Sequence, residues 1–326
     1  MTKLEHAWYQ SFGWSLLLLP ISAVFWGLSA LRRFCFSIGL TKIHKLPVPV
    51  VVIGNINVGG NGKTPLVIYL SSYLKQQGFR PGIVSRGYGG KAAQYPMTVE
   101  KHSDPAHSGD EPLFIKHRVN CPVVVDPNRV RGAQALITKH GCNVILSDDG
   151  LQHYRLGRDI EIAVVDGQRR QGNGYLLPAG PLREGKWRLK TVDFVVVNGG
   201  KLQGDEYMMS LEPGQLVNVK FKGQTKPLNQ ISGPVYAAAG IGNPGRFFTL
   251  LGNKGVKLEK TFAFPDHHQY KESDLPDGTV LMTEKDAVKC TDFAKDNWWF
   301  LPVSAKLTET FNQAFLTKLK AVKSKK

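Results

Sequence analysis

The hydrophobic residues of this chain form short continuous runs, and amphipathic stretches separate several of these runs. Runs rich in β-branched residues predict strands buried on both faces of a sheet, and the intervening stretches have helical spacing. The predicted strands are 48–53, 81–84, 122–125, 143–146, 160–165 and 192–197. The predicted helices between them include 63–77 and 129–140. This alternation indicates an α/β fold with a doubly wound, mainly parallel sheet.

The local composition changes between residues 221 and 227, where Lys, Gly, Gln and Thr replace the apolar runs. We place a linker there and predict a smaller C-terminal α/β lobe over residues 223–326. Its predicted strands are 235–239, 280–283 and 298–303. The preceding core domain then covers residues 34–222, and an N-terminal helix covers residues 1–33.

The segment from Ala7 to Leu31 has no charged residue over 25 positions. About 20 apolar residues in a helix are enough to cross a bilayer. Aromatic residues lie near both ends, and Arg32 and Arg33 follow, which is typical of a segment beside a cytosolic leaflet of acidic lipids. We favour a retained membrane anchor, kinked at Pro20, over a cleaved signal peptide or a buried core helix. Both spanning the bilayer and dipping into one leaflet are compatible with its length.

Composition adds a bias towards anionic partners. Lys and Arg number 42 against 26 Asp and Glu, which gives a formal net charge of +16. This excess suits nucleic acid, acidic lipids or phosphorylated metabolites. The sequence has no helix-turn-helix, zinc or aromatic RNA-binding motif, so we predict no nucleic-acid partner. The four cysteines are far apart and none are in C-x-x-C spacing, which predicts reduced thiols rather than a zinc site or disulfide framework.

A glycine-rich turn, GNINVGGNGKTP at 54–65, joins the first predicted strand to the helix at 63–77. It ends like the phosphate-loop pattern G-x-x-x-x-G-K-[ST], but Asn57 stands where the first glycine belongs. Asn tolerates a left-handed backbone better than most residues, so we expect the loop to accept it. A plain turn does not account for Lys63 and Thr64 at that register. Backbone amides and the helix amino end therefore predict a nucleotide-phosphate site.

The predicted ATP-binding residues of this loop are Asn57, Val58, Gly59, Gly60, Asn61, Gly62, Lys63, Thr64 and Pro65. Lys63 is expected to contact the β- and γ-phosphates, and the Thr64 hydroxyl is a candidate Mg²⁺ ligand. Asp148 and Asp149 directly follow the predicted strand at 143–146, where carboxylates of nucleotide hydrolases and kinases hold magnesium. An Asp-Gly turn without a metal is the alternative for this pair.

These features indicate a membrane-attached phosphotransferase that uses ATP and Mg²⁺. A P-loop nucleotidase or GTPase switch attached to a membrane is the alternative. A GTPase reads guanine with an N-K-x-D motif, and the asparagine after the predicted strand at 192–197, Asn198, is followed by glycines instead.

Eight motifs occur in a fixed order that extends almost to the end of the chain. They are GNINVGGNGKTP (54–65), SRGYGG (85–90), SGDEP (108–112), DDGLQH (148–153), LPAGPLRE (177–184), GIGNP (240–244), FPDHH (264–268) and TEKDAVK (283–289). Together they closely resemble the tetraacyldisaccharide 4′-kinase family of Gram-negative bacteria. The resemblance implies transfer of the ATP γ-phosphate to the 4′-hydroxyl of a tetraacylated glucosamine disaccharide 1-phosphate, at the cytosolic face of the inner membrane. It implies an acylated lipid substrate and acidic membrane lipids as partners, without an obligate protein partner.

The resemblance also implies roles for individual residues. Asp110 would accept the proton of the sugar hydroxyl, with His267 or the adjacent His268 as its partner. A helix N-cap is the alternative role of Asp110. Glu184 would lie near the metal and Arg183 near the phosphates, and a surface ion pair is the alternative for both.

Further residues would hold the disaccharide and its phosphate. These are Arg86, Tyr88, Arg129 and His153. The TEKDAVK motif is expected to support the linker or the lobe and is assigned no chemistry.

Overall fold

The computed structural model describes residues 3–10, 13–266 and 268–326. The chain divides into two compact units. The core unit comprises Lys3–Ser210 together with Ala305–Lys326, and the C-terminal unit comprises Leu211–Ser304. The division therefore precedes the predicted boundary at residue 222, and the last residues return to the core unit.

The secondary structure alternates between strands and helices along most of the chain. The strands are β1 (Val50–Gly54), β2 (Pro81–Ser85), β3 (Met97–Thr98), β4 (Val123–Val125), β5 (Val144–Ser147), β6 (Ile160–Asp166), β7 (Phe194–Asn198), β8 (Tyr207–Pro213), β9 (Leu216–Asn218), β10 (Thr225–Lys226), β11 (Val235–Ala239), β12 (Lys260–Ala263), β13 (Thr279–Thr283), β14 (Trp298–Leu301) and β15 (Val303–Leu307). The α-helices are α1 (Lys3–Ala7), α2 (Leu19–Ser37), α3 (Lys63–Gln76), α4 (Pro105–Ser108), α5 (Asp110–Arg118), α6 (Arg129–His140), α7 (Pro244–Asn253), α8 (Glu284–Cys290) and α9 (Glu309–Lys323). Short 3₁₀ helices are Trp14–Leu18, Lys186–Lys190, Leu228–Gln230, Glu272–Asp274 and Thr291–Phe293.

The large sheet is mainly parallel, as predicted. Over the described residues its strand order is β15-β8-β7-β6-β1-β5-β2-β4-β3. Pairs from β8 through to β4 are parallel, and β3 runs antiparallel to β4. The carboxyl ends of parallel strands lie at one edge, which therefore gathers the loops after β1, β2, β5 and β7.

The smaller sheet belongs to the C-terminal unit. In the described part of the chain its order is β10-β9-β14-β13-β11-β12. The strands β12, β11, β13 and β14 are parallel, whereas β9 and β10 form antiparallel pairs at the edge. This confirms the α/β character predicted for the second lobe.

Helix α9 explains why the end of the chain joins the core unit. Phe311 and Phe315 are fully buried, and their rings lie 5.6 and 6.2 Å from that of Phe194 on β7. Tyr69 Oη on α3 donates to Asn312 Oδ1 at 2.8 Å. The many lysines after residue 317 obscured the apolar face that carries Phe311 and Phe315. The sequence prediction therefore assigned this helix to the wrong unit.

The N-terminal apolar segment starts its main helix at Leu19. A 3₁₀ turn, Trp14–Leu18, leads into α2, and Pro20 lies in the first helical turn. A proline there loses no helical hydrogen bond, so the predicted kink at Pro20 is wrong. Trp14–Ser37 has a mean hydropathy of 1.8, and its length and composition would allow it to cross a membrane.

One side of this segment is attached to the core unit. Trp8 Nε1 donates to the Pro178 carbonyl at 2.8 Å. Ser22 Oγ donates to the Leu176 carbonyl at 3.0 Å and accepts from the Ala179 amide at 3.0 Å. The LPAGPLRE motif is therefore one of the surfaces against which the N-terminal segment packs.

The other side of the segment is apolar and exposed. Only 11% of its most hydrophobic window is buried, which argues against the buried core helix. The exposed large side chains are Trp14, Leu17, Leu19, Ile21, Val24, Trp26, Leu28, Leu31, Phe34, Ile38, Leu40 and Ile43. A contiguous apolar patch of this kind marks a site of interaction with a membrane or another protein.

Candidate active site

The phosphate loop begins where β1 ends, and the side chain of its second asparagine turns inwards. Asn57 is buried, and its side-chain nitrogen Nδ2 donates to the Arg170 carbonyl at 3.2 Å. Its side-chain oxygen accepts from Asn61 Nδ2, which also donates to the Val164 carbonyl at 3.2 Å. Asn57 thus closes the loop through its side chain.

The left-handed residues of the loop are Gly59, with φ of 113°, and Gly62, with φ of 98°. The loop accepts Asn57, as expected, but not for the reason given, because Asn57 does not have a positive φ. A Cβ on Gly62 would lie 2.3 Å from Asn198 Nδ2. That amide donates to the Asn61 carbonyl at 3.0 Å, so Asn198 holds the loop from the end of β7.

Lys63 and Thr64 open α3, with Pro65 also in its first turn. The amino end of this 14-residue helix presents free N–H groups and a positive dipole to the loop. Lys63 Nζ donates to Asn55 Oδ1 at 3.1 Å and lies 3.6 Å from Asp149 Oδ1. The lysine therefore joins the phosphate loop to the DDGLQH motif.

Asp148 and Asp149 differ in their surroundings although they are adjacent. Burial, and then the charges of Glu111 and Asp149, raise the pKa of Asp148 to about 7. Burial acts on Asp149 in the same direction, but Lys63 and Arg183 outweigh it and hold the pKa of Asp149 well below its usual range. Asp149 is therefore ionised at neutral pH, and a nearby cation would favour ionisation of Asp148.

Arg129 holds the backbone of this acidic pair. Its Nη2 donates to the Asp148 carbonyl at 3.1 Å and to the Asp149 carbonyl at 2.9 Å. Asp149 has a φ of 47°, a left-handed conformation that is unusual for a residue other than glycine. These contacts of Arg129 fix this turn, and its predicted contact with the disaccharide stays a prediction.

The acidic pair fits a divalent cation bound together with a nucleotide. Within the described ranges, the buried oxygens Asp148 Oδ1, Asp149 Oδ1 and Ser147 Oγ have no hydrogen-bond partner. No group of three His, Cys, Asp or Glu side chains in the same ranges has the arrangement of a metal cage. Mg²⁺ needs only one or two carboxylates when phosphates and water complete its shell, so these residues suit it.

Glu184 is bound to other side chains of the core unit. It is buried and accepts hydrogen bonds from Tyr154 Oη and, at 2.9 Å, from Gln152 Nε2. Arg188 Nε lies 3.7 Å from the same carboxylate. These contacts make Glu184 a buried anchor of the DDGLQH segment, and they replace the surface ion pair that was its alternative.

Arg183 is tied to the acidic pair. Its Nη1 donates to Asp149 Oδ2 at 3.0 Å, and both side chains are partly exposed. The backbone amide of Arg183 donates to the Ile56 carbonyl, and the Val58 amide donates to the Pro181 carbonyl at 2.8 Å. The LPAGPLRE and phosphate-loop motifs therefore run side by side.

Asp110 begins α5, and Gly109 occupies the N-cap position. Asp110 is therefore the first residue of the helix, and its alternative role as the N-cap does not hold. The adjacent Glu111 contributes to the raised pKa of Asp148, so its charge also belongs to this edge of the sheet.

The SRGYGG loop passes close to the start of α5. A Cβ on Gly109 would lie 2.6 Å from the Tyr88 carbonyl oxygen. Tyr88 itself is 67% exposed, and Arg86 is also exposed. The two predicted substrate residues of this loop thus lie near Asp110 with their side chains accessible.

His153 is neutral at physiological pH. Burial, and then the positive charge of Arg129, lower its pKa to about 4. A neutral imidazole can donate one hydrogen bond and accept another, but it contributes no charge to an anionic substrate.

The predicted partner His267 lies outside the described residues. His268, the alternative, is engaged within the C-terminal unit: its Nε2 lies 3.0 Å from Asp274 Oδ2, and its ring stacks on Phe264. These contacts give His268 a structural role.

Comparisons with known proteins agree with this geometry. The family model described as tetraacyldisaccharide-1-P 4′-kinase matches residues 14–320. The chain belongs to this family. It is therefore a kinase, and the resemblance drawn from the eight motifs is confirmed.

Similar proteins match over nearly the whole chain. A tetraacyldisaccharide 4′-kinase of Pseudoalteromonas atlantica is 53% identical and covers 94% of this chain and 100% of its own length. One from Shewanella frigidimarina is 52% identical, with coverage of 99% and 97%. The solved structure of LpxK from Aquifex aeolicus in complex with ATP aligns with a TM-score of 0.78 at 30% identity, over 94% of this chain and 99% of that one.

Sequence reasoning missed several residues of the site. Asn55, Glu111 and Gln152 each contact or influence a predicted site residue, and Asn198 holds the loop. A polar residue that ends a run of buried strand positions, as Asn198 does, was the available signal. Asn55, Glu111 and Gln152 lie one or two positions from predicted residues, inside the motifs GNINVGGNGKTP, SGDEP and DDGLQH. The motifs alone do not say which of their residues meet at the site.

Proposed function

We propose that this kinase transfers the γ-phosphate of ATP to the 4′-hydroxyl of a tetraacyl glucosamine disaccharide 1-phosphate. The product would be the 4′-phosphorylated lipid A precursor. The observation that carries the proposal is the position of Lys63, at the amino end of α3 and between Asn55 and the Asp148–Asp149 turn. A cation, helix dipole and carboxylates in one place suit phosphoryl transfer.

The nucleotide is held mainly by the backbone of residues 57–65. Gly59 and Gly62 aim successive amides at phosphate oxygens, and Asn57 and Asn198 hold the loop rigid through hydrogen bonds. Lys63 neutralises charge on the β- and γ-phosphates. Its ion pair with Asp149 breaks when it binds them.

Mg²⁺ would be held by Thr64, Asp148 and Asp149. When bound, it supplies charge neutralisation on the phosphate oxygens. Asp148 Oδ1, which is buried and has no hydrogen-bond partner among the described residues, supports this assignment. Glu184 acts at a distance, because Gln152 connects it to the Asn55 carbonyl at 3.1 Å.

Asp110 accepts the proton of the 4′-hydroxyl as that oxygen bonds to the γ-phosphorus. The bond from the γ-phosphorus to the β–γ bridging oxygen breaks, and ADP leaves. His267 is kept as the partner of this base on the resemblance alone. The residues that contact the disaccharide and its phosphate are Arg86, Tyr88, Arg129 and His153. Arg183 offsets phosphate charge once its side chain has left Asp149.

The exposed face of α2 places the enzyme at its acylated substrate. Its apolar side chains would enter one leaflet of the inner membrane from the cytosolic side, while Trp8 and Ser22 remain attached to the core unit. Arg32 and Arg33 then lie where acidic headgroups are. The formal charge of +16 adds to this attraction.

The test is transfer of radiolabelled γ-phosphate from ATP to purified disaccharide lipid in mixed micelles. We expect label on the lipid with wild-type protein, and a loss of about 100-fold or more in both Lys63→Ala and Asp110→Ala. Lys220→Ala, which removes an exposed ion pair with Asp296, is the matched control. Label released only as free phosphate would identify a nucleotidase, and an unaffected Asp110→Ala protein would remove the base assignment.

A further inference from the structure

Helix α2 contacts the segment that follows the acidic pair. Arg32 Nη2 donates to the Gln152 carbonyl at 3.2 Å, and the guanidinium lies 5.9 Å from the centroid of the Tyr154 ring. Phe36, which is buried, meets the same ring with centroids 5.6 Å apart. All of these residues belong to the core unit. The C-terminal half of the apolar helix is thus seated on the DDGLQH motif and on the tyrosine that follows it.

This segment in turn holds a buried carboxylate. Tyr154 Oη and Gln152 Nε2 both donate to Glu184, whose side chain is only 3% exposed. Burial, and then the charge of Glu184, raise the pKa of Tyr154 to about 12, so the hydroxyl keeps its proton at neutral pH. Gln152 Nε2 also donates to the Asn55 carbonyl at 3.1 Å. The contacts of α2 therefore continue through this segment into the phosphate loop.

Asn55 completes the path to the phosphate-loop lysine. Its side chain is fully buried, and its Oδ1 accepts from Lys63 Nζ at 3.1 Å. Its Nδ2 donates to the Gly59 carbonyl at 3.4 Å. A buried amide whose oxygen and nitrogen both have partners is fixed in one orientation. The position of Asn55 therefore decides where the Lys63 ammonium is held.

Hydrogen bonds that share buried groups can carry energetic coupling between distant parts of a protein. We propose that Arg32 and Tyr154 are positioning residues, which couple the seating of α2 on the core unit to the placement of Lys63 at the nucleotide phosphates. This rests on the role proposed above for Lys63. The helix that would enter the membrane then also shapes the nucleotide site. A protein whose α2 is displaced from residues 152–154 binds ATP more weakly.

The test uses full-length protein and two variants that cut the path at its beginning. Arg32→Met removes the hydrogen bond and the charge that α2 contributes, and Tyr154→Phe removes the hydroxyl but keeps the ring. Tyr69→Phe is the matched control, because it also removes a hydroxyl hydrogen bond of the core unit, one of 2.8 Å. Arg155→Met is the second control and removes an exposed guanidinium from the same segment.

Two quantities are measured, of which one does not depend on nucleotide. The first is the Kd for an ATP analogue by calorimetric titration, and the second is the rate of reductive methylation of Lys63 by peptide mass spectrometry. The side chain of Lys63 is 13% exposed, and that of Lys220, the internal reference, is 47% exposed. A lysine that is released from its partners becomes more accessible to the reagent.

We expect Arg32→Met and Tyr154→Phe each to raise the Kd by about threefold to tenfold, which is the effect of one lost hydrogen bond. Lys63 should be methylated about threefold faster or more, relative to the reference lysine. Neither quantity should change in Tyr69→Phe or Arg155→Met, although Tyr69→Phe loses a comparable hydrogen bond.

Gln152→Met tests whether the effects follow the path. It separates Glu184 from the Asn55 carbonyl and leaves Lys63 in the chain. In its background, Arg32→Met and Tyr154→Phe should change the Kd by less than about twofold, because changes along one path are not additive.

An unmoved methylation rate of Lys63 in either variant would overturn the role of the substituted residue, whatever the Kd. Effects on the Kd that multiply with that of Gln152→Met would overturn the coupling, because they would reach the nucleotide by another route. If Tyr154→Phe does not fold, Arg32→Met, at an exposed position, decides the matter by the same measurements. A Lys63→Met protein with native Kd contradicts the role proposed for that lysine, and the methylation rates in the other variants separate this outcome from a failure of the coupling.

Discussion

Asn57→Gly provides a direct test of how the phosphate loop is built. The substitution restores the glycine of the usual phosphate-loop pattern, so a reading by pattern predicts equal or better nucleotide binding. The structure predicts the opposite, because the Asn57 side chain is buried and links the loop to Arg170 and Asn61. Its backbone does not need a glycine, since its φ is not positive.

The magnitude follows from the contacts that disappear. Two hydrogen bonds are lost, at about 0.5–1.5 kcal/mol each, and the Arg170 carbonyl loses the donor Asn57. The extra backbone freedom of glycine adds roughly 0.5–1 kcal/mol. Asn61 keeps its bond to the Val164 carbonyl, which limits the damage. The expected loss in the free energy of unfolding is therefore about 1.5–4 kcal/mol.

The assay is urea unfolding of the core unit, together with calorimetric titration of an ATP analogue. The Kd for the analogue should rise by about tenfold or more, because about 1.4 kcal/mol of loop ordering must then be supplied by binding. Asn57→Ala is the companion variant, which removes the same hydrogen bonds but keeps a Cβ. Its free energy of unfolding should exceed that of Asn57→Gly only by the cost of the extra backbone freedom of glycine. A glycine variant with native stability and native Kd would refute this account of the loop.

Three further outcomes follow from the structure. Gly62→Ala should abolish detectable binding of an ATP analogue in the same titration, because its Cβ would lie 2.3 Å from Asn198 Nδ2 at a φ of 98°; unaltered binding would contradict the loop geometry. The pKa of His153 in the folded protein is about 4, below its value in the unfolded chain, so its contribution to stability is present above pH 6.5 and lost as pH falls towards 4. His153→Gln should therefore reduce the change in urea stability across that pH window by roughly 1–3 kcal/mol. An unchanged profile would exclude this linkage. Val24→Asp with Leu28→Asp, at side chains 62% and 64% exposed, should weaken sedimentation with acidic vesicles by about tenfold or more without changing thermal stability, and undiminished sedimentation would remove α2 from the membrane contact.

Predictions from sequence succeeded where a local pattern is sufficient. The β-branched runs located six strands of the core sheet to within about two residues, because such runs are buried wherever the sheet forms. The strands β3, β8 and β15 of the same sheet were not predicted. The Lys63–Thr64 pair after a glycine-rich turn located the turn between β1 and α3, because strand, turn and helix are consecutive in the chain. Phosphate binding by this turn stays a prediction. Asp148 and Asp149 could be placed beside that loop, because parallel strands bring their carboxyl ends to one edge.

Predictions failed where the partner of a residue is distant in sequence. Pro20 was expected to kink the apolar helix, but the helix begins one residue earlier. The residues after 304 were assigned to the C-terminal lobe, although Phe311 and Phe315 pack on Phe194 of the core unit. Composition gives no information about which of two cores an amphipathic helix will cover.

The sequence by itself determined the family, the α/β architecture, the phosphate loop and an apolar N-terminal segment. Each of these features depends on residues close together along the chain or on motifs that occur in a fixed order. Only the tertiary structure decided what the buried polar side chains do: Asn57 bonds Arg170, Asn198 bonds Asn61, and Glu184 bonds Gln152 and Tyr154. A buried polar group must find a hydrogen-bond partner, and that partner is chosen by how the strands and loops pack, which local spacing does not encode.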